Sequence, residues 1–571
     1  MRLPSVLSLL VAFAATAALP AQKPAGKPAV ANPQDEVQAN DIAGFRGWLQ
    51  QYALGSIRLC KEGVPDEAAL TELDQRMQKI AQWNTLGAAK MLFEAACVDP
   101  KPTTGATSTA VVDHMRELMP WRVHKMAQKH LRGMTGEGIL PWLLAMLNTP
   151  SARNAKATFD PKAAGAVLRI LGGHPSVEAQ LELIRACHTM PVELRVQAVT
   201  AMANDPTLEL VPTLVEMLRD SEPNVRIAAA TAIGQALRPH VDESAGKKPD
   251  GATVAVRDTA NKQLEDLLVR DQVWQVRSAA ATALAIQLCK PVIPALIRGL
   301  DAELSRKKDP WAMDVRLHKL LEGLTGQSVV RGSIDPWKVF WQKEGPGFTV
   351  RPAGKDTGKK QSPGSEKYGK FFDLEIESDR VLFVLDFSGS MAEEVTLKTH
   401  TTIAGAGNKT TKAALVVAEM KKLVMSLPDG ALINFVVFSD GVRTWRQDGG
   451  RPALVKLDDS SRDDLLGTFL DSLRPAGPTN LYDALDTALG FGGRGLHDKY
   501  YGAGFDTLYV ISDGAPSAGA ITDKDEIRRR VRETNSLRRI AIHCITFGEK
   551  NDTDFLGGMA TENGGRHIHV E

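Results

Sequence analysis

Four apolar runs in the last third of the chain constrain its fold more than any other feature. They are RVLFVLD (380–386), ALINFVVFSD (431–440), DTLYVISDG (506–514) and RRIAIHCITFG (538–548). Their apolar residues run on without alternating with polar ones, the pattern of strands buried on both faces, as in parallel sheets. Between them lie helical stretches: KTTKAALVVAEMKKLVMSL (409–427), DDLLGTFLDSL (463–473) and EIRRRVRETNSL (526–537). Strands alternating with helices predict a doubly wound α/β domain with a parallel sheet. Ligands of such sheets bind at the carboxyl ends of the strands.

Polar groups collect at that edge. The first strand runs into Asp386-Phe387-Ser388-Gly389-Ser390, where alternate residues of an extended turn project to one side and Gly389 permits the bend. The later loop GPTN offers Thr479, and the strand LYVIS ends at Asp513. Two carboxylates and three hydroxyls, with neither imidazole nor thiolate, form a hard oxygen set. Such a set suits Mg²⁺, Mn²⁺ or Ca²⁺ and not Zn²⁺.

DFSGS, then the Thr of GPTN, then the Asp of SDG resembles the metal-ion-dependent adhesion site of von Willebrand factor type A (VWA) domains. The order and spacing of all three elements agree, and the resemblance covers about 190 residues. It implies that Ser388, Ser390 and Thr479 ligate a divalent cation directly, Mg²⁺ foremost, while Asp386 and Asp513 act largely through bound water. It further implies an open coordination position for a carboxylate of a protein partner. One departure is the long loop MAEEVTLKTHTTIAGAGNKT (391–410), which would shape the ligand site or supply Glu393 or Glu394 as an internal occupant.

A repeat precedes this domain. LVPTLVEMLRDSEPNVRIAAATAIGQAL (210–237) predicts two amphipathic helices: Leu210, Leu214, Met217 and Leu218 share one face of the first, and Val225, Ala229, Ile233 and Leu237 share one face of the second. The pattern recurs upstream and twice downstream, marked by Arg195, Arg226, Arg277 and Arg316 at intervals of 31, 51 and 39. Removing the 19-residue polar insertion 239–257 brings the long interval to 32. These units resemble HEAT repeats of α-solenoids. By that resemblance Asp220–Arg226 and Asp271–Arg277 belong to a hydrogen-bonding ladder between neighbours, incomplete where Thr189 replaces the Asp. A helix pair cannot bury its apolar face alone, so stacked units form an extended scaffold.

The N-terminus reads as an export signal: Arg2, an apolar core from Val6 to Leu19, and small residues ending at Ala21. No other apolar run is long enough to cross a membrane. The formal charge is +1, falling to zero when residues 1–21 with Arg2 are removed, which argues against a polyanion-binding protein. Five scattered cysteines (Cys60, Cys97, Cys187, Cys289, Cys544) do not form a disulfide scaffold.

The expected layout is a multidomain chain: signal peptide 1–21, flexible leader 22–40, helical region 41–118, HEAT-like solenoid 119–345, linker 346–376 and VWA domain 377–571. Other motifs carry less. His567 and His569 lack a third metal ligand and read as an edge-strand pair, and GFGGRG (490–495) has no following Lys-Ser/Thr and reads as a loop. Arg528, Arg529, Arg530 and Arg532, with acids nearby, read as a solvated helix face. The function expected is an exported, non-enzymatic adaptor that captures an acidic group of a protein partner. One alternative is an RNA-binding protein, since a helical-repeat body with a VWA domain is similar to the layout of the Ro ribonucleoprotein family. A third is a metal-assisted hydrolase, for which no general base or second metal site is evident.

Overall fold

The computed structural model describes residues 33–57, 59–61, 64–99, 109–147, 160–204, 206–306, 312–350, 370–372, 374–396, 409–448, 451–490, 504–547 and 553–570. The signal peptide and residues 22–32 of the leader lie outside these, as do residues 351–369 of the linker and residues 491–495 of GFGGRG. Within the expected leader, residues 33–40 are instead the start of a helix, Pro33–Ala53. Phe45, Leu49 and Tyr52 anchor it to the core, and Pro33, with its fixed φ, suits a first helical position. The helix Glu67–Gln82 buries Leu70, Leu73, Met77 and Ile80, the face expected from their spacing.

From Pro161 to Thr325 the chain is a stack of helix pairs. Val177–Thr189 pairs with Val192–Met202, a short helix Val211–Met217 with Pro223–Val241, Gly251–Arg270 with Trp274–Ala285, and Val292–Ser305 with Ala312–Thr325. Much of the polar insertion 239–257 is helical: it prolongs one helix through Pro239 to Val241 and begins the next at Gly251. Gly234 lets two units approach closely, because a Cβ there would stand 2.8 Å from the Ala283 Cα.

The expected ladder runs between units. Arg195 makes a bidentate pair with Asp220 (2.9 and 2.9 Å), and Arg226 does the same with Asp271 (2.8 and 3.1 Å). Each arginine also donates to a carbonyl at the preceding turn: Arg226 to Asp220 O and Arg277 to Asp271 O, both at 2.9 Å. Planar guanidinium forks satisfy both demands at once. The Thr189 substitution leaves Arg195 fully engaged, since its carboxylate comes from the following unit. At the far end Glu303 replaces Asp as the partner of Arg277, at 2.5 Å.

The second domain is built on a seven-stranded sheet. Its strands are β1 (Arg380–Asp386), β2 (Leu432–Phe438), β3 (Val442–Thr444), β4 (Val455–Lys456), β5 (Thr507–Ser512), β6 (Ala541–Phe547) and β7 (His567–Val570). The order is β4-β2-β1-β5-β6-β7, with β3 also pairing β2; β2, β1, β5, β6 and β7 are parallel, and β3 and β4 antiparallel. Val381, Phe383 and Leu385 of β1 face one hydrophobic core, while Leu382 and Val384 face the other. The helix Lys412–Ser426 covers the first face, and Leu481–Leu489, Lys524–Arg538 and Thr553–Glu562 cover the second. The stretch 463–473 is broken, passing from helix Asp459–Asp464 through a π turn (Leu465–Phe469) to a 3₁₀ turn.

The core of that second face is continuous with the solenoid core. A polar junction reinforces it at the starts of the strands. Buried Glu377, just before β1, accepts from Lys319 of the last solenoid helix (2.6 Å) and from Arg566 (3.0 Å), with His543 Nε2 at 3.6 Å. Arg316, the last marker arginine, donates to Arg539 O at 2.7 Å and to Ser278 Oγ. Arg539, in the left-handed region at φ 61°, donates back to Thr282 at 2.6 Å. The basic stretch expected to be solvated also contributes, because Arg529 lies over the Trp121 ring and pairs with Glu526 and Glu533. The two ends of the expected linker 346–376 are packed instead: Phe348 lies on Phe340 and Trp341, and Val350, Phe371 and Leu374 are buried.

Candidate metal-binding site

The oxygen cluster lies at the opposite edge of the sheet from the polar junction around Glu377. Seven residues of β1 at ~3.3 Å each separate the two edges by roughly 20 Å. Asp386 ends β1 and is fully buried; Ser388 and Ser390 follow on the turn; Asp513 follows β5; Thr479 precedes the helix Leu481–Leu489. Three backbone hydrogen bonds fasten the turn: Phe387 N to Phe438 O (2.8 Å), Ala476 N to Phe387 O (2.9 Å) and Gly389 N to Gly477 O (2.8 Å). Gly477 has φ +72°, which suits glycine.

The side chains interlock. The Ser388 and Ser390 hydroxyls are 3.2 Å apart, and Ser390 donates to Asp513 Oδ1 at 2.8 Å. Neighbouring ligands of an octahedral Mg²⁺ with bonds of ~2.1 Å stand about 3 Å apart, so these spacings fit such a shell. Asp386 already accepts two protein hydrogens, from Ser388 N (2.8 Å) and from Ser512 Oγ (2.6 Å), which favours contact with a metal through water. Thr479 is held by its backbone, with its N–H on Ser517 Oγ at 2.9 Å, and its hydroxyl faces Gly514. Burial raises the Asp386 carboxyl to about 6, against the hydrogen bonds from Ser512 and Ser388, and the Asp513 charge adds to the rise. A buried carboxylate of this kind gains from a cation beside it.

All five residues expected from the sequence come to this edge. Three others belong with them and were missed: Ser512 on Asp386, Ser517 on Thr479, and Lys412, whose ammonium meets Asp513 Oδ2 at 2.7 Å and Glu393 Oε2 at 2.7 Å. Glu393 therefore faces Lys412 rather than occupying the cluster. Residues 397–408 of the long loop lie outside the described residues; its ends pair as a short hairpin, Glu394–Thr396 with Lys409–Thr411. His567 and His569 both bond the Thr546 hydroxyl at 2.9 Å, and among the described residues no three His, Cys, Asp or Glu side chains form a metal-binding group.

A family model for HEAT repeats matches residues 179–245, and one for the von Willebrand factor type A domain matches residues 403–568. The chain thus carries HEAT repeats followed by a VWA domain. The second match begins beyond Asp386, Ser388 and Ser390, which the sheet brings into the same domain. Among curated relatives, inter-alpha-trypsin inhibitor heavy chain H2 of Mesocricetus auratus is 27% identical over 186 residues, 32% of this chain and 17% of the relative. Heavy chain H1 of Homo sapiens is 28% identical over 190 residues, 33% of this chain and 18% of the relative. The matched segment spans less than a fifth of these relatives. A solved von Willebrand factor type A protein from Catenulispora acidiphila shares 18% identity, with 34% of this chain and 38% of that one covered, at a TM-score of 0.26. No described helix is long and apolar enough to cross a membrane.

Proposed function

We propose that this chain is an exported binding protein whose VWA domain captures a carboxylate of a protein partner through a divalent cation, Mg²⁺ foremost. Asp386, Ser388, Ser390, Thr479 and Asp513 would hold the ion, and the HEAT solenoid would mount that edge facing away from itself. The observation that carries the reading is the convergence of two carboxylates and three hydroxyls at the carboxyl edge of the sheet. The ion would supply an electrophilic position for the partner's oxygen. The chain's own part is to orient the hydroxyls, through the Ser388–Ser390–Asp513 chain and the Ser512 bond to Asp386. The role is binding rather than catalysis.

Export rests on the composition of residues 1–21. RNA binding finds little support, because Arg195, Arg226 and Arg277 of the repeats are committed to carboxylates and so are not free for phosphates. An immobilised glutamate-bearing peptide library is the direct probe. Retention in Mg²⁺ that is released by chelator and absent in Ser388→Ala is the expected outcome. Equal retention with and without the ion would contradict the reading.

A further inference from the structure

Lys412 stands at this edge without belonging to the expected ligand set. The hairpin register Glu394↔Thr411 brings Glu393 and Lys412 side by side, and the Lys412 N–H donates to Glu393 O at 3.0 Å. Lys412 opens the helix Lys412–Ser426, so its backbone is fixed from both sides. Its side chain is 7% exposed, that of Asp513 only 1%, and that of Glu393 66%. The ammonium is thus buried against the ligand carboxylate, and its second partner, Glu393, is the exposed one of the two. Asp513 gives one oxygen to Ser390 and the other to Lys412.

Resting on the metal-site reading above, we propose that Lys412 sets the affinity of the divalent site and couples ion binding to partner binding. Without the ion, Lys412 compensates a carboxylate that would otherwise be buried uncompensated. When the ion enters, the buried Asp386 and Asp513 face the ion and Lys412 together. Glu393, whose side chain is 66% exposed, offsets Lys412 only in part because solvent screens it. Ion binding alone is therefore weakened, and the filled site keeps a partial positive excess. An anionic partner group removes that excess, so ion and partner each favour the other's binding.

The test is titration of Mg²⁺ alone, by calorimetry, into the full chain and into Lys412→Gln, with Lys412→Met as a second neutral variant and Lys412→Arg as the charge-conserving one. Lys412→Gln retains a hydrogen-bond donor and removes the charge. The neutral variants are expected to bind Mg²⁺ on the order of tenfold more tightly, and Lys412→Arg within a few-fold of the parent. In chelator the neutral variants should melt lower than the parent and gain more from Mg²⁺. If they bind Mg²⁺ no more tightly while Asp386→Ala abolishes binding, the site stands and the role of Lys412 is overturned. If neither parent nor neutral variant binds, the site reading fails, and this inference with it.

Discussion

Glu377→Ala is expected to lower the stability of the chain by about 3–5 kcal/mol, the cost of breaking a buried charge network by removing one partner. Glu377 is the carboxylate on which Lys319, Arg566 and His543 converge, and it joins the solenoid to the start of β1. His543 Nδ1 accepts from Arg566 N at 3.1 Å, so the proton of a neutral ring sits on Nε2, on the Glu377 side. Burial alone would raise the Glu377 pKa. Lys319, then the His543 imidazole beside it, with Arg566 adding to them, outweigh it and hold the carboxyl well below its ordinary value. A depressed carboxylate contributes stability above its unfolded pKa and loses it as pH falls through the folded one. The contribution of Glu377 should therefore be constant through neutral pH and vanish only in strong acid. Denaturant unfolding at pH 7 measures the loss, and Lys319→Met, which leaves Arg566 and His543 in place, should lose less. Equal stability of parent and Glu377→Ala would show that the junction does not hold the domains.

Glu303→Ala is the second large effect, at about 3 kcal/mol, because it removes the carboxylate from Arg277, whose side chain is 0% exposed. Asp220→Ala acts on Arg195, whose side chain is 21% exposed, and should lose less, about 1–2 kcal/mol. The order of the losses should follow the burial of the arginine, since a surface guanidinium regains water where a buried one does not. Unfolding midpoints of the two variants decide it; a larger loss for Asp220→Ala would reverse the account.

These two networks also mark how far the sequence can be read. RVLFVLD predicted β1 residue for residue, because a strand buried on both faces has a local signature that no partner needs to supply. The resemblance to HEAT repeats implied the ladder, and the units of Asp220–Arg226 and Asp271–Arg277 each carry an Asp and an Arg for their neighbours. Glu303 was not legible, because a longer acid at a different helix position does the same work. Arg316 read only as the marker of a further repeat, and it turns to Arg539, a partner defined only by docking of the domains. The arginines around Arg529 read as solvated for the same reason: Trp121 lies far away in sequence. At the carboxyl edge of the sheet, DFSGS, GPTN and SDG pointed to five residues that the structure brings to that edge. Lys412 was hidden because the loop separating it from Ser390 has no pattern that gives its register.

The central claim is that the oxygen cluster at the end of β1 and β5 binds a divalent cation. Calorimetric titration of Mg²⁺ into metal-free chain tests it most directly, with Asp386→Ala as the control. The account predicts saturable binding at one site per chain, lost in Asp386→Ala while the melting transition remains cooperative. Binding of the same strength in both proteins, or in neither, would contradict it.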